Sequence, residues 1–290
     1  MSYRRFLTAL LAAIPLSIAT AALAQLGQEG EPRPRIWVGG GGYGRFRRTP
    51  PKWATAQNFD GSFNFCRAHF TADRREDGGS GWDTDFPGAD NNFSVRLAEL
   101  TRVRVRLDST GQPDYVVVRL NDPLLYRCPI LHMEDVGVVR FSDDEVSNLR
   151  AYLLKGGFLI VDDFWGSRAW EQWTYEIGRA LPSAQYPIVE IPPDHPIMHA
   201  LYEVKHVEQV SSINFWMRSG GSVSERGADS PHPNFRGITD EDGRLMVVMA
   251  HNTDIPDTWE REGESQEYFD RFSPGGYALG VNIIVYALTH

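Results

Sequence analysis

The segment from Ser142 to Asp163 constrains the fold of this chain more than any other. It opens with Ser142-Asp143-Asp144-Glu145, and a serine followed three residues later by a glutamate is a capping box that satisfies free amides at a helix start. Val146, Leu149 and Leu153 then fall on one helical face. Gly156-Gly157 ends the helix, because glycine takes the left-handed terminal conformation without a Cβ clash. Phe158-Leu159-Ile160-Val161 follows as an unbroken apolar run, and a strand apolar on both faces has to be covered on both faces. A helix that returns through a short glycine turn into such a strand is the repeating unit of a parallel sheet. The expectation is therefore an α/β fold of three layers, a mostly parallel sheet flanked by helices.

The rest of the chain fits that scheme. Phe63, Phe65, Arg67 and His69 alternate as a half-buried strand, and Tyr115–Leu120, Ile130–Met133 and Leu245–Ala250 read as further strands. Val103, Val105 and Leu107 also alternate, while Ile188–Ile191 and Ile213–Trp216 are short apolar strand candidates. Asp90 or Asn91 is suited to cap a helix bearing Phe93, Leu97 and Leu100; Ser167 is suited to cap one bearing Trp170, Trp173 and Ile177. Tyr277–Leu288 reads as a closing helix packed on the sheet.

Arg4-Arg5, the apolar run Phe6–Ala21 and the small-residue site Ala22-Leu23-Ala24 have the three-part anatomy of a secretory signal peptide. Residues 1–24 are thus expected to direct export to the periplasm, residues 25–60 to form a flexible glycine- and proline-rich leader, and residues 61–290 a single α/β domain. Beyond the signal no apolar stretch is long enough to span a bilayer. The net charge of -9 repels phosphate backbones and argues against nucleic acid as a partner. Cys66 and Cys128 admit two readings, a disulfide in an oxidising compartment or two buried thiols.

Chemistry concentrates where apolar runs end. Asp162-Asp163 closes the most buried strand, and ligands of parallel α/β sheets bind beyond the carboxyl ends of the strands. Asp83 and Asp85, in the loop Trp82–Pro87, have the spacing to face one way in an extended backbone. Asp194-His195 and either His132 or Glu134 are further candidates for the same edge, and His251-Asn252-Thr253-Asp254 is a second polar strand end. Carboxylates with one imidazole suit a divalent cation or a general acid and base; the structural alternative is a hydrogen-bonded network that stitches loops together. Trp82 and Trp165 lie beside these acids, where an indole ring is suited to stack on a sugar. Gly39–Gly44 formally contains GxGxxG, yet Arg45-Phe46-Arg47-Arg48 leads into Pro50-Pro51 and leaves no helix to receive a dinucleotide phosphate.

The blocks WDTDFPGADNNFSVRLAELT (Trp82–Thr101), LRAYLLKGGFLIVDDFWG (Leu149–Gly166), IPPDHPIMHALYEV (Ile191–Val204) and LGVNIIVYALTH (Leu279–His290) resemble the bacterial domain of unknown function 4159. The resemblance implies a class I glutamine amidotransferase-like, flavodoxin-like fold and brings no assigned activity. Longer relatives join this domain to membrane segments and von Willebrand-type modules, which implies a place in an envelope assembly. An amidotransferase needs a cysteine nucleophile at a tight strand-to-helix turn. Cys66 lies inside FNFCRAHF and Cys128 directly precedes Pro129, so neither fits, and no Gly-x-Ser-x-Gly elbow replaces them. The expectation is a non-catalytic binding or scaffolding domain of the envelope, its partner a small molecule, a carbohydrate or an envelope protein. The alternative is a hydrolase or lyase acting on a carbohydrate-like substrate through the strand-end carboxylates, with or without a metal.

Overall fold

The computed structural model describes residues 34–36, 49–75 and 79–290. The signal segment, most of the leader and the Gly39–Gly44 run lie outside the described residues. The sheet contains β1 (Phe65–His69), β3 (Tyr115–Arg119), β4 (Ile130–Glu134), β6 (Phe158–Phe164), β7 (Val189–Glu190), β8 (Asn234–Thr239) and β9 (Leu245–His251). Their spatial order is β3-β1-β4-β6-β9-β8-β7. The first five run parallel, and β8 is antiparallel to both of its neighbours. A two-strand ribbon pairs β2 (Thr71–Ala72) with β5 (Val139–Arg140).

Helices cover both faces, giving the three layers expected. On one side α2 (Asp143–Leu154) and α3 (Gly166–Ala180) bring Leu149, Tyr152, Trp173 and Ile177 onto Leu131, Met133, Leu159 and Val161. On the other, α1 (Gly88–Leu100) and α6 (Gln266–Thr289) bring Phe93, Leu97, Val281 and Ile284 onto Phe65, Ile130, Phe158 and Ile160. The alternation along β6 is that of a central strand whose two faces feed two cores. Two short helices, α4 (Ile213–Ser219) and α5 (Asp257–Glu260), lie beyond the sheet. The capping box forms as expected: Glu145 N–H donates to Ser142 Oγ at 3.3 Å and Ser142 N–H to the Glu145 carboxylate at 2.9 Å.

Several local expectations are corrected. Ile213–Trp216 is helical, not a strand; Ser212 Oγ accepts from Phe215 N–H and Gly220 ends the helix with φ 72°. A four-residue apolar run carries too little periodicity to separate the two states, and the flanking caps decide. Helix α1 begins at Gly88, so Asp90 and Asn91 lie buried inside its first turn and do not cap it. Ser167 likewise lies within α3, where its N–H donates to Asp229. The leader boundary also moves. Ala54 N–H donates to Val117 O and Val117 N–H to Lys52 O, while Trp53 packs on His69 and under the Arg119 guanidinium. Residues 52–54 therefore extend the hydrogen bonding of β3 rather than hanging free.

The two cysteines are paired. Cys66 on β1 and Cys128, just before β4, have Cα atoms 6.0 Å apart and form a disulfide between adjacent strands.

Candidate functional site

The carboxyl ends of β4, β6 and β9 open onto one edge, and acids gather there. Strand β4 ends in Glu134 with Asp135 just beyond it, β6 carries Asp162 and Asp163, and the chain leaving β9 continues through Asn252 and Asp254 into α5. Two features of the backbone aim these side chains. The pairing of β6 with β9 slips between Val161 and Phe164, an irregularity that re-aims the side chains of a strand end. In addition, the described residues other than glycine that take positive φ are Asp85, Asp135, Asp163 and Asn252. All belong to this edge, and Asp and Asn are among the side chains that tolerate that region best.

Beneath the edge lies a sealed ionic network. Arg67, fully buried on β1, donates Nε to the Asp90 carboxylate at 3.1 Å and Nη2 to Glu134 Oε1 at 3.0 Å, and its Nη1 lies 2.8 Å from Glu134 Oε2. Nη1 also donates to Thr84 O at 2.9 Å, which fixes the 79–87 loop to the sheet. His132 Nδ1 stands 3.2 Å from Glu134 Oε1. Burial pushes Glu134 up to about 7 even though Arg67 pulls the other way. Burial likewise drives His132 well below its ordinary value, so the imidazole is neutral.

Above this network two groups of acids converge. Asp85, Asp163 and Asp254 offer oxygens that all lie within 4.8 Å of one another, and so do Asp85, Asp257 and Glu260. Asp163, Asp254 and Asp257 are buried. Each of these carboxylates except Asp85 is fixed through one oxygen. Trp165 Nε1 donates to Asp163 Oδ1 at 2.9 Å and Asp257 N–H to Asp254 Oδ1 at 3.0 Å, while Ile213 N–H donates to Asp257 Oδ2 and Arg261 Nε to Glu260 Oε2. Asp85 as a residue keeps some surface, yet its Oδ2 is sealed from solvent and has no hydrogen-bond partner. Burial is the first cause raising the pKa values of Asp85, Asp163, Asp254 and Asp257, and neighbouring carboxylates raise each further. Buried like charges at such separations need a proton or a cation between them.

Close approach of α5 to α6 places Asp257 and Glu260. A Cβ on Gly276 would collide with Thr258, and one on Gly280 with Trp259. On the other flank, a Cβ on Gly88 would meet Glu260 Cγ at 2.6 Å, so the start of α1 admits Glu260 only because it is glycine.

Of the residues singled out in the sequence, Asp85, Asp163 and Asp254 join the convergent groups. Asp162 lies at the same strand end but belongs to neither group, and its Oδ1 accepts from Asp163 N–H at 2.7 Å and from Ile255 N–H at 3.1 Å. Asp83 is half-buried in the same loop and belongs to neither group. Asp194 and His195 do not reach this edge. Asp194 is exposed, and His195 caps a short turn, accepting from Ile197 N–H, while its ring packs on Tyr286, which contacts Phe158 at the opposite end of β6. The expected convergence of Asp162 with His195 is thereby corrected. Trp165 is buried and committed to Asp163, and Trp82 is half-buried between His69 and Phe86. His251, Asn252 and Thr253 tie loops together through Gly166, His232 and Glu208. Asp257 and Glu260 were not anticipated, although Asp254, Asp257 and Glu260 recur every three residues, a spacing that a helical turn gathers on one side.

The chain matches the family described as a domain of unknown function (DUF4159) over residues 71–288. It belongs to that family. The match covers α1 to α5, all but the last residue of α6, and every strand from β2 to β9, so both acid groups of this DUF4159 domain lie within it. No curated protein matches the chain. No helix among the described residues is long and apolar enough to cross a membrane.

Proposed function

We propose that this DUF4159 domain is a binding domain of the cell envelope that takes a hard divalent cation at the carboxyl edge of its sheet and presents it to an oxygen-rich partner, a small molecule, a carbohydrate or an envelope protein. The observation that carries the reading is the convergence of the Asp85, Asp163 and Asp254 oxygens within 4.8 Å. Oxygens held about 2.1–2.5 Å from a magnesium or calcium ion lie no more than twice that distance apart. An all-carboxylate donor set selects such ions over softer metals.

Binding is favoured over catalysis by the condition of the groups a reaction would need. The amidotransferase-like fold that the sequence resemblance implies would act through a thiolate, and both cysteines are tied in the disulfide. Glu134, held near neutrality, has the pKa of a general base, but it is sealed beneath the edge against Arg67. The envelope location rests on the signal anatomy of residues 1–24, and N-terminal sequencing of the exported protein should find Gln25 first.

Calorimetric titration of the chelator-stripped full chain with calcium and with manganese tests the binding reading. Saturable binding is expected, weakened about tenfold or more by Asp163→Asn, because one of three anionic donors is lost. Asp194→Asn, on an exposed residue elsewhere, should leave it unchanged. A stripped protein that takes up neither ion at millimolar concentration refutes the reading.

A further inference from the structure

Resting on that reading, the geometry points to a pair of cations rather than one, with the Asp85 carboxylate bridging them. One ion would sit among Asp85, Asp163 and Asp254, and the second among Asp85, Asp257 and Glu260, since Asp85 is the member common to both groups.

Three independent observations support the pair. The first is the anchoring pattern. Asp163, Asp254 and Glu260 each have one oxygen engaged by an N–H donor, which leaves one oxygen apiece; Asp257 has Oδ2 engaged by Ile213 N–H and its Oδ1 3.6 Å from Arg261 Nε. Donors behind a carboxylate that fix its orientation are what a metal site requires of its surroundings. The second is Asp85 itself. Its Oδ2 is sealed from solvent without a partner, whereas a bridging carboxylate uses both of its oxygens on metal. A buried carboxylate oxygen with nothing to accept is costly, and a bridge removes that cost.

The third is charge. Arg261 is the basic side chain paired with this cluster; its Nε contacts Glu260 Oε2 and lies 3.6 Å from Asp257 Oδ1, while Nη1 holds Glu264 at 2.7 Å. Arg67 below is consumed by Asp90 and Glu134. With Glu264 counted, six ionised carboxylates beside one guanidinium carry five net negative charges, well beyond what one divalent cation neutralises.

Two ions sharing one carboxylate lie about 4 Å apart, close enough for magnetic exchange between manganese ions. The test uses the stripped full chain loaded with manganese, read by calorimetric stoichiometry and by electron paramagnetic resonance. Two ions per chain with an exchange-coupled spectrum are expected. Glu260→Gln, at a half-buried position, should leave one ion and an uncoupled spectrum. Asp85→Asn should weaken both binding steps by about tenfold or more, since each site loses an anionic donor. Circular dichroism confirms the fold of each variant, and Glu260→Gln decides the matter if Asp85→Asn fails to fold. One ion in the unaltered protein overturns the pair and leaves the single-cation reading standing. No ion overturns both. Two uncoupled ions, of which Asp85→Asn removes only one, overturn the bridge.

Discussion

Raising the pH from 6.5 to 8 should destabilise the chelator-stripped protein, and Asp257 sets the scale. Burial first, and Glu260 next, push its carboxyl up to about 8, against the lowering pull of Arg261. In the unfolded chain an aspartate titrates near ~3.9, so across this window the native state holds a proton that the unfolded state has lost. Stability then falls as pH rises through the folded value. The slope for one such group is about 1.4 kcal/mol per pH unit, flattening as the pH nears the folded value, which integrates to roughly 1.5 kcal/mol over the window. Asp85, Asp163 and Asp254 are raised by the same causes and act in the same direction. His132 and His251, the latter pushed down to about 4, stay neutral in the native state, and because an unfolded histidine titrates near ~6.5 each opposes the fall by only about 0.4 kcal/mol, nearly all of it close to pH 6.5. Below that pH they oppose it more strongly, because the unfolded chain gains protons that the native one refuses.

Urea melts followed by fluorescence of the protein's tryptophans measure the change at each pH. Asp257→Asn keeps an acceptor for Ile213 N–H and removes the titrating group, so its melts should lose about 1.5 kcal/mol of the pH dependence. Saturating calcium should reverse the trend, since the ion takes the deprotonated acids. At a hundredfold excess over Kd it adds about 2.7 kcal/mol, and more at pH 8 than at 6.5. A stripped protein whose stability is flat or rising across the window, with the same profile in Asp257→Asn, would refute the reasoning.

Other perturbations probe the scaffold. Arg67→Met strips two buried carboxylates of their counterion and should cost about 3–5 kcal/mol in urea melts, less at acidic pH, where Asp90 and Glu134, both raised, take up protons. Ser142→Ala removes one half of the capping box and should lower stability by about 1 kcal/mol, seen as a shifted urea midpoint at unchanged slope. Reducing the Cys66–Cys128 bridge, which spans 62 residues, should destabilise by about 4 kcal/mol in paired melts with and without dithiothreitol.

What the sequence reveals follows from what acts locally. The unit from Ser142 to Val161 was legible because caps, a helical stripe, a glycine stop and a doubly apolar strand all act within a few residues of one another. Ile213–Trp216 was not, since its helical state is decided by Ser212 and Gly220 outside the apolar run. Asp163 was found because a charge after a buried strand marks the point where the chain leaves the core. His195 was misplaced for an equally physical reason. A polar residue beside a strand candidate does not reveal at which end of the sheet it emerges, and contact with Tyr286 places it at the amino end. Arg67 alternated correctly within its strand, yet nothing local announced that Asp90 and Glu134, from a helix and another strand, would enclose it.

The distribution of backbone strain bears on whether the acid edge is a ligand site or a stitch between loops. Asp135, Asp163 and Asn252 take positive φ beside three successive parallel strands, and Asp85 does so in the loop that covers them. Residues in such conformations cost of order 1 kcal/mol each and persist only where the surroundings over-determine them. Two of the four are accounted for by stitching: the Asp135 carboxylate accepts from Gly81 N–H, and Asn252 bridges Gly166 N–H and His232 O. The other two are not. Asp163 spends one oxygen on Trp165 and turns an acid toward other acids, and Asp85 leaves an oxygen sealed and unpartnered among them. A stitch would have used that oxygen. Because Arg67, the disulfide and the two apolar layers hold the strands independently of the edge, the scaffold can carry that unfavourable charge until a cation relieves it.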